Sequence, residues 1–165
     1  MSAKITHRLL VFALFFLAHW FFGNLYEEIV LAPNQLSNSY QALQNWQEYF
    51  TITNQIYYYV PFTQFAVIAL IVLFLKSTHQ PEKDLLKKAS IHGILAIVLT
   101  VLIVTQLNVK LFFGDLDKYR QQIHTLSVIW LIGNAIRLYL VGSSLYYTLK
   151  VWTIRQPQPA SHEHA

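Results

Sequence analysis

Four apolar stretches dominate the chain, at about residues 9–31, 56–75, 89–108 and 125–153. Each is near or above the roughly 20 residues that a helix needs to cross hydrocarbon. The expected fold is therefore all-α, an integral membrane four-helix bundle with a short interfacial segment on its outer side. Composition agrees, with 55% hydrophobic and only 12% charged residues and a mean hydropathy of +0.37, well away from an average soluble domain. The connections left over are too short for a second folded domain, so function has to lie in the bundle, residues 1–155, or in its outer loop.

Orientation follows from the basic residues. Lys4 and Arg8 precede span one, Lys76, Lys83, Lys87 and Lys88 sit between spans two and three, and Lys150 and Arg155 follow span four. The segment joining spans one and two has no Lys or Arg, and Lys110, Lys118 and Arg120 near the last connection are offset by Asp115 and Asp117. Basic residues mark cytoplasmic loops, so both termini are expected inside a bacterial inner membrane. Lys4 and Arg8 running into residues 9–20 resemble a signal peptide, but no small-residue cleavage site follows and the apolar run continues, so a retained span is expected.

Composition also excludes several function classes. The chain has no cysteine, which rules out disulfides, thiolate nucleophiles and iron–sulfur clusters. The net charge of +4 comes from residues scattered at span ends, which reads as topology rather than as nucleic-acid binding. The tail 156–165, with Pro157, Pro159, His162 and His164, is expected to be disordered.

The outer loop, residues 33–55, opens on Pro33 and Asn34. Within it, Leu43, Trp46 and Phe50 fall at helical spacing, which predicts a short helix over residues 40–50 lying on the membrane surface, as a lid or as an aromatic anchor.

The informative exceptions are polar residues inside the spans. Glu27 and Glu28 near the end of span one, and Arg137 near the middle of span four, are expensive in lipid unless paired. Trp20, Asn24 and Glu27 or Glu28 share one helical stripe, and His19, Gly23 and Glu27 an overlapping one. Span four aligns Trp130, Asn134, Arg137 and Ser144; span three aligns His92, Leu99 and Gln106, with Asn108 near its exit; span two opens with Tyr57, Tyr58 and Tyr59, then Pro61, Thr63 and Gln64. Helical rise brings these groups together in the outer half of the bundle. Arg137 is expected to pair with Glu27 or Glu28, while Asn24, Gln64, Gln106 or Asn134 saturate the remaining hydrogen bonds. Such pairing alone would lock the helices. Two carboxylates, an arginine and several tyrosines and amides together point instead to a polar cavity. In it a desolvated carboxylate could serve as general base, with Arg137 or a tyrosine stabilising an oxyanion. Adjacent residues diverge by about 100° on a helix, so one acid, with Glu27 favoured, is expected to face the cavity.

The candidate catalytic residues are thus Glu27, Glu28 and Arg137, and the candidate substrate-binding residues His19, Asn24, Tyr58, Gln64, Gln106, Asn108, Trp130 and Asn134. No metal or cofactor is assigned. His19 and His92 differ in level by roughly 10 Å, and a site from Glu27 or Glu28 with His124 lacks a diagnostic spacing.

Gly23-Asn24-Leu25-Tyr26-Glu27 followed by Pro33-Asn34, the Trp46 segment, Thr105-Gln106-x-Asn108, and Trp130 with Asn134-x-x-Arg137 resemble the small four-span membrane family of anthrone-oxygenase-like proteins, grouped as a domain of unknown function. The resemblance spans about residues 9–150. It implies a four-helix bundle and, for some members, cofactor-independent oxidation of an activated aromatic polyketide or related tailoring chemistry, with Asn108 and Arg137 at the family's polar positions. Glu27 and Glu28 are read from the residues and not from the resemblance.

Two classes of function remain open on sequence grounds. One is a membrane enzyme, of an oxygenase or isomerase/cyclase kind, acting on a lipophilic small molecule that enters from the bilayer or the outer opening. The other is a non-enzymatic accessory subunit or small-molecule carrier. The expected partners are the lipid bilayer and that lipophilic molecule, and a homo-oligomer is compatible with either class.

Overall fold

A computed structural model of the chain describes residues 1–156. The tail expected to be disordered, with His162 and His164, lies outside the described residues beyond Gln156. Five helices make up the fold: α1 Ala3–Ser37, α2 Ser39–Tyr49, α3 Gln55–Lys76, α4 Gln80–Leu111 and α5 Ile123–Arg155. All but α2 are long and apolar enough to cross a membrane, so the chain is a multi-pass membrane protein. Helices suit that solvent because they satisfy their backbone hydrogen bonds internally.

Local chemistry sets several helix ends. The Ser2 hydroxyl accepts from the Ile5 amide at 3.4 Å, and Asn54 Oδ1 accepts from the Ile56 amide at 3.0 Å, each capping an orphan donor. Pro81 stands in the first turn of α4, where its missing N–H costs nothing.

The first helix runs further than its hydropathy suggests. Residues 33–55 were expected to form one loop beginning at Pro33, yet α1 continues to Ser37. The reason is a widened π-type turn over Glu27–Leu31, in which the Ala32 amide reaches back five residues to the Glu27 carbonyl. Proline breaks a regular ladder because it lacks an N–H and crowds the carbonyl of residue i−4; a wide turn just before it redistributes those bonds. The Asn34 side chain takes up the Val30 carbonyl at 2.7 Å. A second π turn, Val104–Asn108, interrupts α4.

The four long helices form a ring in which α1 packs on α3 and α5, and α4 packs on the same two. In the half nearer the termini the core is Leu10, Leu17, Leu70, Leu86 and Val141, with Ala13, Ala66, Ala89 and Ala96 letting backbones approach. Its end is closed by Glu82, which accepts from Arg155 Nη2 at 2.6 Å, Arg155 Nε at 3.1 Å and Ser77 Oγ at 3.2 Å. At the far half a second core of Ala32, Leu43, Ile103, Leu111, Leu116, Ile123 and Trp130 joins α2 to the helix ends. Between the two cores lies the polar region.

Candidate functional site

All five helices contribute to a cavity of about 200 Å³ in the far half of the bundle. A single water needs about 10–15 Å³ on this measure, so the space takes a ligand or a cluster of waters. α1 supplies Trp20, Asn24, Glu27 and Leu31, at steps of four, three and four; α3 supplies Tyr59 and Thr63; α4 supplies Thr100, Val104 and Asn108; α5 supplies Trp130 and Arg137; and α2 closes one side with Ala42, Leu43 and Trp46.

The polar centre is a chain of four side chains linking α1 to α5. Arg137 sits about 21 Å along α5 from its start and is 7% exposed. Its Nη2 lies 3.4 Å from Glu27 Oε2. Its Nε donates to Asn134 Oδ1 at 3.1 Å, and Nη2 donates to the same oxygen. Asn134 Nδ2 then donates to Glu28 Oε2 at 2.6 Å. A guanidinium has only donors, so the Asn134 oxygen must face it, which leaves the amide nitrogen for the second carboxylate. Glu27 lines the cavity, whereas Glu28 does not and is held by Asn134.

Both π turns border this space. Glu27 and Leu31 bound one, Val104 and Asn108 the other, and all four line the cavity. Such turns insert an extra residue into a helix and often mark functional sites. In α4 the insertion carries the buried face from Ile103 to Asn108, five residues on. Asn108 Oδ1 accepts from Trp130 Nε1 at 2.9 Å.

Several polar atoms of the cavity lining, donors and acceptors, have no hydrogen-bond partner among the described residues. The Asn24 side chain is 3% exposed and its Nδ2 has no hydrogen-bond partner. Arg137 Nη1 likewise donates to no protein acceptor among the described residues. The hydroxyl end of the Tyr59 ring lies against Gly23, where any Cβ would overlap it, so a glycine next to Asn24 is what lets this tyrosine reach the cavity.

The cover is tied to the loop around residues 112–120. Trp46 packs at a tilt on Phe112, ring centres 4.8 Å apart, and Gln47 Nε2 donates to the Gly114 carbonyl at 3.1 Å. Tyr40 donates to Asp117 Oδ1 at 2.8 Å under the Arg120 guanidinium, 4.6 Å from the ring centre. That hydrogen bond, followed by desolvation and the Asp117 charge, holds the Tyr40 hydroxyl above the usual tyrosine pKa. The helix expected over residues 40–50 is present as Ser39–Tyr49, and it walls the cavity rather than only lying on a surface.

The structure therefore brings Glu27, Arg137, Asn24, Asn108 and Trp130 to one cavity, with Asn134 and Glu28 directly behind. Four other candidates fall elsewhere. Gln64 and Gln106 are exposed on the outside of the bundle, because Thr63, one residue away, takes the inward position on α3, and because the π turn rotates Asn108 inward in place of the face that Gln106 shares with Leu99. Tyr58 is 57% exposed while its neighbour Tyr59 lines the cavity. His19 is half-buried against the rings of Tyr58 and Tyr59, at 4.9 and 5.1 Å, and does not line the cavity. His124 is exposed with Nδ1 3.3 Å from Ser39 Oγ, and His92 Nδ1 lies 2.8 Å from the Lys88 carbonyl. Among the described residues no three His, Asp or Glu side chains cluster as metal ligands do.

Trp20, Tyr59, Thr63, Thr100, Leu31 and Phe112 line the cavity without having been singled out as site residues. Trp20 carried a signal as the residue one turn before Asn24, and Tyr59 and Thr63 as members of the polar opening of span two; Leu31, Thr100 and Phe112 carried none. The chain matches no protein-family model, no curated protein and no solved structure.

Proposed function

We propose that this protein is an integral membrane enzyme that takes a lipophilic small molecule, aromatic or polyketide-like, into the far-half cavity and acts on it by acid–base and electrostatic catalysis. The observation that carries this reading is the unpartnered Asn24 amide, buried in the cavity wall beside the Glu27–Arg137 pair. Polar groups that merely lock helices are paired, since an unmade buried hydrogen bond costs about 1–3 kcal/mol. An orphaned buried amide in a cavity wall that also holds a carboxylate and a guanidinium fits a ligand site.

In this reading Glu27 takes a proton from an activated position of the substrate, and the charge left on the substrate is held by Arg137. Glu28 and Asn134 position the guanidinium. The resemblance to anthrone-oxygenase-like proteins implies one form of this chemistry, in which the deprotonated aromatic is oxidised by dioxygen as co-substrate; an isomerase or cyclase step needs no oxidant and uses the same base and the same anion stabiliser.

A second reading has its own support. The continuous chain Glu27–Arg137–Asn134–Glu28 ties α1 to α5, as polar glue would in an accessory subunit or a carrier. Glu27→Gln separates the two. The variant leaves Arg137 short of its anion and melts lower in either reading; if Glu27 is the catalytic base, its loss also lowers turnover per folded protein, of the lipophile extracted from purified protein, by roughly 10²–10⁴-fold. Reduced stability with full specific activity moves the protein to the second class.

We also place both termini on the cytoplasmic side of a bacterial inner membrane, on the lysine and arginine bias alone. Cysteines introduced at Asn38 and Thr78, both exposed in an otherwise cysteine-free chain, then label from opposite sides, Asn38 from outside. Labelling of both from one side rejects the topology.

A further inference from the structure

We infer that the groove on the lipid-facing side of α1 and α5 is a binding site for an anionic phospholipid of the leaflet at the termini, with an acyl chain in the groove and the headgroup phosphate held by Lys150 and Lys88. The inference is independent of the far-half cavity and of any activity there.

The groove follows from the repeat of α5. Ala135, Tyr139, Gly142, Ser143 and Tyr146 line it at helical spacing, and Phe21 of α1 borders it. A Cβ on Gly142 would come 3.0 Å from the Phe21 ring, so glycine is what lets α1 approach at that level, and the small side chains at 135 and 143 keep the groove hollow. From Ala135 to Tyr146 the helical rise is about 16 Å, close to the roughly 15 Å of hydrocarbon in one leaflet. No charged residue lines this length. In a bilayer an acyl chain fills such a groove whatever its headgroup, so the lipid is selected by the chemistry at the groove's foot.

That foot is basic. Lys150 Nζ lies over the Tyr146 ring, 4.6 Å from its centre, and Lys88 Nζ over the Tyr147 ring, at 5.7 Å; the two ring centres are 5.5 Å apart. Two ammonium groups thus attend one pair of rings where the groove ends. The Ser144 hydroxyl, donating to the Ala89 carbonyl at 2.9 Å, fixes the register of α5 on α4 that brings Lys88 to Tyr147. Neither lysine has a carboxylate partner among the described residues. Glu82 is taken by Arg155, and Asp84, one turn before Lys88, accepts from Gln80 at 3.1 Å. A ring face attracts an ammonium without neutralising it or consuming its N–H donors, so both charges stay available to a phosphate. Basic groups beside membrane helices draw anionic headgroups in this way. A zwitterionic headgroup would bring a cation of its own toward the two lysines, and a free phosphate would make no use of the groove.

The test titrates the full chain in detergent with dioleoyl phosphatidylglycerol or dioleoyl phosphatidylcholine and counts bound lipids by native mass spectrometry. The first lipid is expected to bind roughly 10–30-fold tighter as phosphatidylglycerol, and Lys88→Gln and Lys150→Gln should each lower that preference about fivefold. Lys87→Gln is the control, since Lys87 is exposed beside Lys88 but lies over no ring among the described residues, and it should leave the preference unchanged. Ala135→Leu fills the groove from its exposed side and should weaken both lipids alike; Ser143→Leu repeats that arm should the first variant not fold. Inorganic phosphate at the same concentration should not displace the lipid. Equal binding of the two lipids overturns the inference, as does an equal loss in Lys87→Gln, which would reduce the effect to the overall charge of this end. Groove variants without effect on either lipid overturn the placement of the chain, and displacement by inorganic phosphate alone would make the site one for a free anion.

Discussion

In the half of the bundle nearer the termini, α1, α3, α4 and α5 meet through Leu10, Leu17, Leu70, Leu86 and Val141, none more than 1% exposed. In the far half the same helices stand apart around Asn24, Glu27, Asn108 and Arg137. The closed half also contains polar side chains, but they are absorbed: Ser144 donates to the Ala89 carbonyl across the helix interface and Thr148 to the Ser144 carbonyl in its own helix. Its one unpartnered buried atom, Ser90 Oγ, belongs to closed packing, whereas Asn24 Nδ2 belongs to a cavity wall. The closed half keeps a regular helical repeat with small residues at the contacts. The open half has a π turn on each of two helices, and a hinge at Asn38 that folds α2 over the gap. Regular repeats pack shut; interrupted ones leave room for chemistry.

The contrast should be visible first in the two arginines. Arg137→Leu leaves Glu27 buried without its cation, and is expected to cost about 3–5 kcal/mol or to prevent folding. Arg155→Leu also orphans a buried carboxylate, Glu82, but at the rim of the closed half, where Ser77 still donates to it and the lost arginine was itself 32% exposed, and should cost clearly less. Thermal melts in the same detergent compare them, and equal losses would remove the distinction between a buried site and a closed end.

Leucine truncation should give the next largest difference. Leu70→Ala opens a void in a sealed core and should cost about 2–5 kcal/mol. Leu31→Ala only widens a space that already exists, and should cost less than about half as much. A Leu31→Ala variant as unstable as Leu70→Ala would mean that the cavity collapses onto its lining in the membrane.

The smallest expected effect lies in the cover. Tyr40→Phe removes the hydroxyl that donates to Asp117, and should speed amide exchange in α2 while leaving α3 and the melting temperature unchanged. In the wild type this tie carries a pH signature. Because the hydroxyl's pKa is raised in the folded state, the contribution is fully present below the ordinary tyrosine value of about 10 and is lost as pH rises through the folded-state value. Faster α2 exchange in alkali, absent from Tyr40→Phe, identifies it; exchange unaffected by the substitution would assign the cover's closure to Trp46 and Gln47 alone.

The amino-acid sequence by itself determined the four spans and the main polar actors. Hydropathy is a sum over single residues and needs no neighbours, and ionisable groups such as Glu27 and Arg137 cost so much in lipid that each predicts a partner. It also favoured Glu27 over Glu28 for the cavity, through the stripes that Glu27 shares with both Asn24 and His19, although His19 itself does not line the cavity. Which face of a span turns inward was a different matter. Tyr58 and Tyr59, or Thr63 and Gln64, differ by about 100° of rotation, and only packing against α1 and α4 decides between them: Gly23 makes space for Tyr59, and Thr63 fits where the longer Gln64 is left outside. The π turns were beyond reading as well. One inserted residue shifts every position after it, which placed Asn108 and not Gln106 against Trp130 and carried α1 past Pro33. A repeat can be counted along a chain, but where it slips is set by the energy of closing helices around a space, which exists only once all of them are in place.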